Sequence, residues 1–288
     1  MPTGPLGDVA TVDGPSLANG IRSELYKCFS VERPVEGVLE IILSRPKAAN
    51  AMSHEFVREF HQILDVLQFP HTMDAPVRVI ILRGEGSAFC AGYDFRDVQM
   101  RGADQPYLQK AFSSLILKIR DIPQPIVCGV NGSAAGAGMS LALASDVRIG
   151  SPKCRFIASF TKLGLGGGEL GTGYFLPRII GRGHAASILL SGGEIDAETA
   201  ERWGLLNRLV AREDALVDAC RQLAESLLAT SPKGLRLTKW LLNNSQDISL
   251  AAVLDREDLA QSYLAADAES KQVGMKHISK FVAPKPKL

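Results

Sequence analysis

One pattern constrains this chain more than any other, and it occurs twice. A β-rich run leads into a cluster of glycine and other small residues, and a stretch with helical spacing follows. In the first copy VRVIIL (Val77–Leu82) runs into GEGSAFCAGYD (Gly84–Asp94). In the second, IVCGV (Ile126–Val130) runs into NGSAAGAGMS (Asn131–Ser140). Glycine allows close backbone approach or positive φ. A strand that turns directly into a helix start also aims backbone N–H groups outward, which suits developing negative charge. Neither copy is a dinucleotide or phosphate-loop fingerprint, since GxGxxG and GxxxxGK(S/T) are absent at both points. Taken singly, each copy reads equally well as a binding loop or as a tight turn packed by small side chains.

The flanking sequence gives these turns a context. Leu25–Val31 and Gly37–Leu43 are β-rich and read as a hairpin across Glu32-Arg33-Pro34. Ser53–Leu67 carries apolar residues at helical spacing, with Ser53 as the N-cap. Leu108–Ile119 and Gly136–Ala144 read as helices and Asp146–Ile149 as a strand. Strands and helices therefore alternate through the first half, an α/β pattern. From Thr172 onward the spacing predicts helix almost throughout: Thr172–Ile180, His184–Leu190, Ala197–Trp203, Arg212–Thr230, Pro232–Asn243 and Leu250–Ala265. The expected division is a flexible lead-in over 1–20, a core over 21–210 and a helical segment over 211–288.

Charge and cysteine content exclude several function classes. Basic residues number 32 and acidic residues 31, so no global field favours nucleic acid or an anionic membrane. The five cysteines show no CxxC spacing and are expected to be buried free thiols in a reducing compartment. The five histidines form no metal-ligand pattern. No apolar run reaches the ~20 residues a membrane span needs. The N-terminus lacks the order of a signal peptide and has no arginine before Arg22, so a cytoplasmic location is expected.

Taken together, in this order and spacing, the segments resemble the crotonase, or enoyl-CoA hydratase/isomerase, superfamily. Supporting blocks are LSRPKAANAM (Leu43–Met52), AFCAGYDF (Ala88–Phe95), PIVCGVNGSAAGAG (Pro125–Gly138), ASDVRI (Ala144–Ile149), YFLPRIIG (Tyr174–Gly181) and SGGEIDAETAERWGLLNRLV (Ser191–Val210). The resemblance implies a ββα spiral core with a helical C-terminal trimerisation segment, acting on an acyl-CoA thioester as a homotrimer or dimer of trimers. Coenzyme A would be part of the substrate, with no separate cofactor and no metal.

By position, the resemblance makes the backbone N–H groups of Tyr93 and Ala137 an oxyanion hole for the thioester oxygen. Ala137 stands where the family usually has glycine. The resemblance lays CoA and substrate along Ala48, along Ser87, Ala91 and Gly92, and along Gly136, Ser140 and Phe160. Many members carry a basic residue where Ser87 stands, which leaves Arg45 and Lys47 as nearby cations for phosphate. Lys280 and Phe281 are candidates for the nucleotide end. The chain departs from the pattern at the acid/base groups, because Ser140 and Phe160 occupy the positions of the two hydratase glutamates. Glu169 falls instead where dienoyl-CoA isomerases carry an active-site acid, just after Gly166-Gly167-Gly168. Three readings stay open: hydration, a single-base proton shuttle through Glu169, and a non-catalytic acyl-CoA-binding protein.

Overall fold

A computed structural model describes residues 21–68, 76–97 and 105–282; the expected lead-in over 1–20 lies outside them. In chain order the elements are β1 (Phe29–Glu32), β2 (Val38–Leu43), α1 (His54–Gln68), β3 (Val79–Gly84), β4 (Ala88–Cys90), α2 (Gln105–Asp121), β5 (Ile126–Val130), β6 (Ser133–Ala135), α3 (Ala137–Ala144), β7 (Val147–Gly150) and β8 (Arg155–Ile157). Then come α4 (Thr172–Ile180), α5 (Arg182–Ser191), β9 (Glu194–Asp196), α6 (Ala197–Arg202), β10 (Arg208–Leu209), α7 (Leu216–Leu228), α8 (Pro232–Asn244), α9 (Leu250–Ala266) and α10 (Ala268–Val282).

The strands divide between two sheets by a simple alternation. One sheet runs β1-β2-β3-β5-β7-β10 and the other β4-β6-β8-β9. Each successive pair, β3/β4, β5/β6 and β7/β8, gives one strand to each sheet, so the chain spirals. The predicted hairpin forms, with β1 antiparallel to β2. The long strands β2, β3, β5 and β7 are parallel neighbours. All six residues of β2 are buried, as a strand covered on both faces requires. One face packs against α1, with the Phe29, Phe56 and Phe60 rings tilted against one another in one cluster. The other face packs against α7 through Val38, Val79, Ile81 and Val127 meeting Leu216, Cys220 and Ala224.

Local signals explain several boundaries. The Ser53 hydroxyl accepts the Phe56 N–H at 3.1 Å, capping α1 as its sequence suggests. Ser231 and Ser249 cap α8 and α9 in the same way. All eight residues of α3 are buried, so its small, apolar composition suits a helix enclosed on every side.

The structure corrects the sequence reading at short elements. Ser23–Leu25 is a 3-10 turn and the first strand begins at Phe29. The stretch after Thr172 also contains β9 and β10, and α7 begins only at Leu216 after a 3-10 turn. These strands are two or three residues long and carry too few side chains for a period-2 signal.

Candidate active site

The spiral brings the two glycine segments side by side. β4 pairs with β6 in parallel, with Ala88 opposite Ser133 and Cys90 opposite Ala134. Contact this close needs absent side chains. A Cβ on Gly132 would stand 2.0 Å from the Ser87 carbonyl oxygen, and one on Gly138 would stand 2.1 Å from that of Cys90. These two glycines therefore serve the packing of one segment on the other rather than approach to a ligand. Gly92 and Gly136 do take positive φ, at +90° and +51°, where a side chain would be strained.

At this seam two backbone donors are left over. A Cβ on Gly92 would stand 3.2 Å from the Ala137 nitrogen, so the turn at Gly92-Tyr93 and the first residue of α3 border one small space. Neighbouring amides are engaged: Ala91 donates to Ala49 at 3.0 Å, Asp94 to Met52 at 3.0 Å and Gly136 to Ile157 at 2.9 Å. The Tyr93 and Ala137 N–H groups find no acceptor among the described residues. Both residues are buried. Buried donors are normally paired, so two free amides at one place are chemically suited to bind an oxygen.

Glu169 reaches the Tyr93 side chain from a different part of the chain. It begins a 3-10 turn, Glu169–Gly171, held to the next helix by the Thr172 hydroxyl, which donates to the Glu169 carbonyl at 2.8 Å. The next residue, Leu170, is buried and left-handed at φ +48°, ψ +38°, a costly conformation for a branched side chain. Oε1 of Glu169 accepts two hydrogen bonds, from the Tyr93 hydroxyl at 2.6 Å and from the Gln109 amide at 2.9 Å. Oε2 is shielded from solvent and has no partner among the described residues. Burial, then the hydrogen bond to and charge of Glu169, push the Tyr93 phenol far above its ordinary range. It therefore stays protonated and can donate at any working pH.

Ser140 and Phe160 are placed as packing groups. Ser140 is fully buried on α3, and its hydroxyl donates weakly to the Gly136 carbonyl at 3.4 Å. Phe160 is buried with its ring 6.4 Å from that of Tyr93, and it lies against Gly136. Phe112 meets the Tyr93 ring edge-on at 4.6 Å from the other side. The Tyr93 ring, whose hydroxyl holds Glu169, is thus packed by two aromatic rings, and neither family glutamate position carries a carboxylate.

On the side expected to hold CoA, residues 45–52 are zipped along 85–94. The buried Asn50 amide donates to Glu85 and Ala88 carbonyls, and Met52 and Tyr93 form a bridge. Ala48 is half-buried there, Ser87 and Ala91 are exposed, and Gly92 and Gly136 are buried. Arg45 is not a free phosphate contact. Its guanidinium pairs with Asp94 at 2.8 Å and donates to the Ala51 carbonyl. Burial opposes ionisation of Asp94, but Arg45 and the Arg96 N–H outweigh it and hold the carboxyl below its usual range. Lys47 is exposed. The side chains of Lys280 and Phe281 lie outside the described residues. All five cysteines are buried and free, and burial pushes the Cys90 thiol up to about 12, so it is no nucleophile at neutral pH.

Sequence reasoning missed Gln109 and the Tyr93 hydroxyl. Gln109 lies three residues before Phe112 on the face of α2 that turns inward. A polar residue at the head of an apolar stripe is the available signal. None of the described helices is long and apolar enough to cross a membrane.

Comparison with known proteins shows the family of the whole chain. The family model described as enoyl-CoA hydratase/isomerase matches residues 33–283. A Mycobacterium leprae protein named "Probable enoyl-CoA hydratase echA12" is 36% identical over 81% of this chain and 80% of its own length. The 1,2-epoxyphenylacetyl-CoA isomerase of Escherichia coli is 31% identical over 85% of this chain and 93% of its own. The crystal structure of a monofunctional enoyl-CoA isomerase from M. smegmatis superposes with a TM-score of 0.67 at 35% identity, covering 79% of this chain and 98% of the other.

Proposed function

The chain belongs to the enoyl-CoA hydratase/isomerase family, and from that premise we propose that it moves a double bond along an enoyl-CoA by a single-base proton transfer. Glu169 Oε2 takes a proton from C2 of a 3-enoyl thioester. The electron pair of that C–H bond passes into the carbonyl, giving a dienolate whose oxygen sits between the Tyr93 and Ala137 N–H groups. The same carboxyl then returns its proton to C4, the C2=C3 bond forms, and the carboxylate is regenerated. No net proton is gained or lost.

One observation carries this reading: a carboxylate with one oxygen held and the other unpartnered is tied by the Tyr93 hydroxyl to the residue that supplies one of two unengaged amides. Each oxyanion donor is worth about 3 kcal/mol of barrier by the cost of losing one. Hydration is the second reading, favoured by the hydratase name of the M. leprae relative. It would need Glu169 to activate water alone, since Ser140 and Phe160 cannot.

Turnover of 3-enoyl, 2-enoyl and dienoyl thioesters by wild type and Glu169→Gln tests the proposal. Isomerisation by wild type and its loss in the variant are expected. Binding of CoA thioesters with no turnover of any would overturn it, and hydroxyacyl product without isomerisation would favour hydration.

Assembly into trimers belongs to the same proposal. Exposed Leu250, Leu254, Leu259 and Tyr263 on α9 support a subunit contact there. Light scattering at three or six chain masses is expected; a monomer at micromolar concentration would contradict it.

A further inference from the structure

Glu169 is held by two neutral donors from two different elements, and one of those donors belongs to a residue already assigned to the oxyanion hole. Tyr93 places its N–H in the space shared with Ala137 and its hydroxyl 2.6 Å from Glu169 Oε1. The Gln109 side-chain nitrogen donates to the same oxygen from α2, at 2.9 Å, and the Gln109 carbonyl oxygen lies 3.3 Å from the Tyr93 hydroxyl. Phe112 and Phe160 pack the Tyr93 ring edge-on and fix its direction.

We infer that Tyr93 is a positioning residue that ties the two halves of the site together. Its hydroxyl and the Gln109 amide clamp Oε1 of Glu169, leaving Oε2 as the oxygen that carries the proton, at a distance from the oxyanion hole fixed by one side chain. This rests on the reading of Glu169 as the base.

The surroundings leave this clamp as the main local influence on the carboxylate. The 3-10 turn of Glu169 packs against α2, α3 and α4. On α2 the titratable groups besides the clamp are Tyr107 and Lys110, both exposed, Lys118 paired with Asp65, Arg120 paired with Asp146, and the exposed Asp121. α3 has none. On α4, Tyr174 and Arg178 are turned to Asp247. Among the described residues no Lys, Arg or His lies within ion-pair distance of Glu169. A hydrogen bond donated to a carboxylate favours its charged form, so removing the donor disfavours that form.

The experiment is a pair of variants, Tyr93→Phe and Gln109→Leu, with Glu169→Gln as reference. In Tyr93→Phe the acidic limb of kcat/KM against a 3-enoyl-CoA is expected to move up by about one pH unit, as the loss of one charge-assisted hydrogen bond implies. KM should stay within about threefold, because the backbone N–H is untouched. Gln109→Leu should move the limb the same way by less. An infrared titration of the substrate-free enzymes reads the same shift without turnover, with the Glu169 carboxyl band assigned by its absence in Glu169→Gln. A limb and a band that stay at their wild-type pH in both variants would overturn the clamp. Full activity in Glu169→Gln would instead overturn the base assignment itself. Should Tyr93→Phe fail to fold, Gln109→Leu on α2 decides the matter alone.

Discussion

Two inward-facing carboxylates in this protein are treated in opposite ways. Glu40, on β2, is fully buried, and both its oxygens meet cations: Oε1 the Arg83 guanidinium, and Oε2 the Arg221 guanidinium at 2.7 and 3.1 Å. Arg221 lies on α7, so this cluster fastens that helix to the sheet. Among the described residues Glu169 has no cation within ion-pair distance. Two neutral groups hold one oxygen and the other is left empty. A carboxylate whose oxygens are all matched by cations acts as a tie between elements. One held by neutral donors at a single oxygen contributes less to the fold and keeps its other oxygen unpartnered. Asp146 follows the first pattern: Arg120, Lys239 and the Ile126 N–H all meet it.

Substitutions at the two sites should therefore separate activity from stability. The largest effect is expected for Glu169→Gln, which should cut kcat by about 10²- to 10⁴-fold, the range of a positioned acid/base. Its unfolding midpoint should equal or exceed that of wild type. A large fall in stability with activity kept would reverse the comparison. Glu40→Gln should do the opposite. It leaves Arg83 without a counter-charge and Arg221 with only the exposed Glu32, and should cost about 2–3 kcal/mol in denaturant unfolding, below the range for a fully buried pair because both arginines are partly solvated. Activity per folded molecule should be unchanged.

Gly92→Ala sharpens the comparison from the backbone side. At φ +90° the new methyl would press on the Ala135 carbonyl, 2.7 Å away, and crowd the Ala137 N–H. A cost of about 1–3 kcal/mol in stability and a fall in kcat larger than the change in KM are expected from steady-state kinetics. The smallest effect is expected at the surface. Arg155 and Glu194 are paired in the open, and Glu194→Gln should move neither the melting temperature nor kcat beyond error.

Much of the fold is legible in the residues themselves. The glycine runs, the strand VRVIIL and the cap at Ser53 carry local signals, and a β-rich run beside small residues marks the turn whatever the rest of the chain does. Glu169 stands out because of the glycines before it. The clamp does not, because Tyr93, Gln109 and Glu169 lie far apart in sequence and meet only through the spiral. The left-handed Leu170 carries no sequence signal either, since a leucine there is held by its neighbours, not by its own preference. Arg45 reads as a free cation in the sequence because its partner, Asp94, is 49 positions away.

The claim that the free oxygen of Glu169 carries one proton between two carbons can be tested by label transfer. A 3-enoyl-CoA deuterated at C2 would be converted in ordinary water and the early product analysed by mass spectrometry and NMR. Because Oε2 is shielded from solvent, part of the product should carry deuterium at C4, and Glu169→Gln should form none. Product formed at the wild-type rate with no deuterium at C4, even at the earliest times, would contradict it.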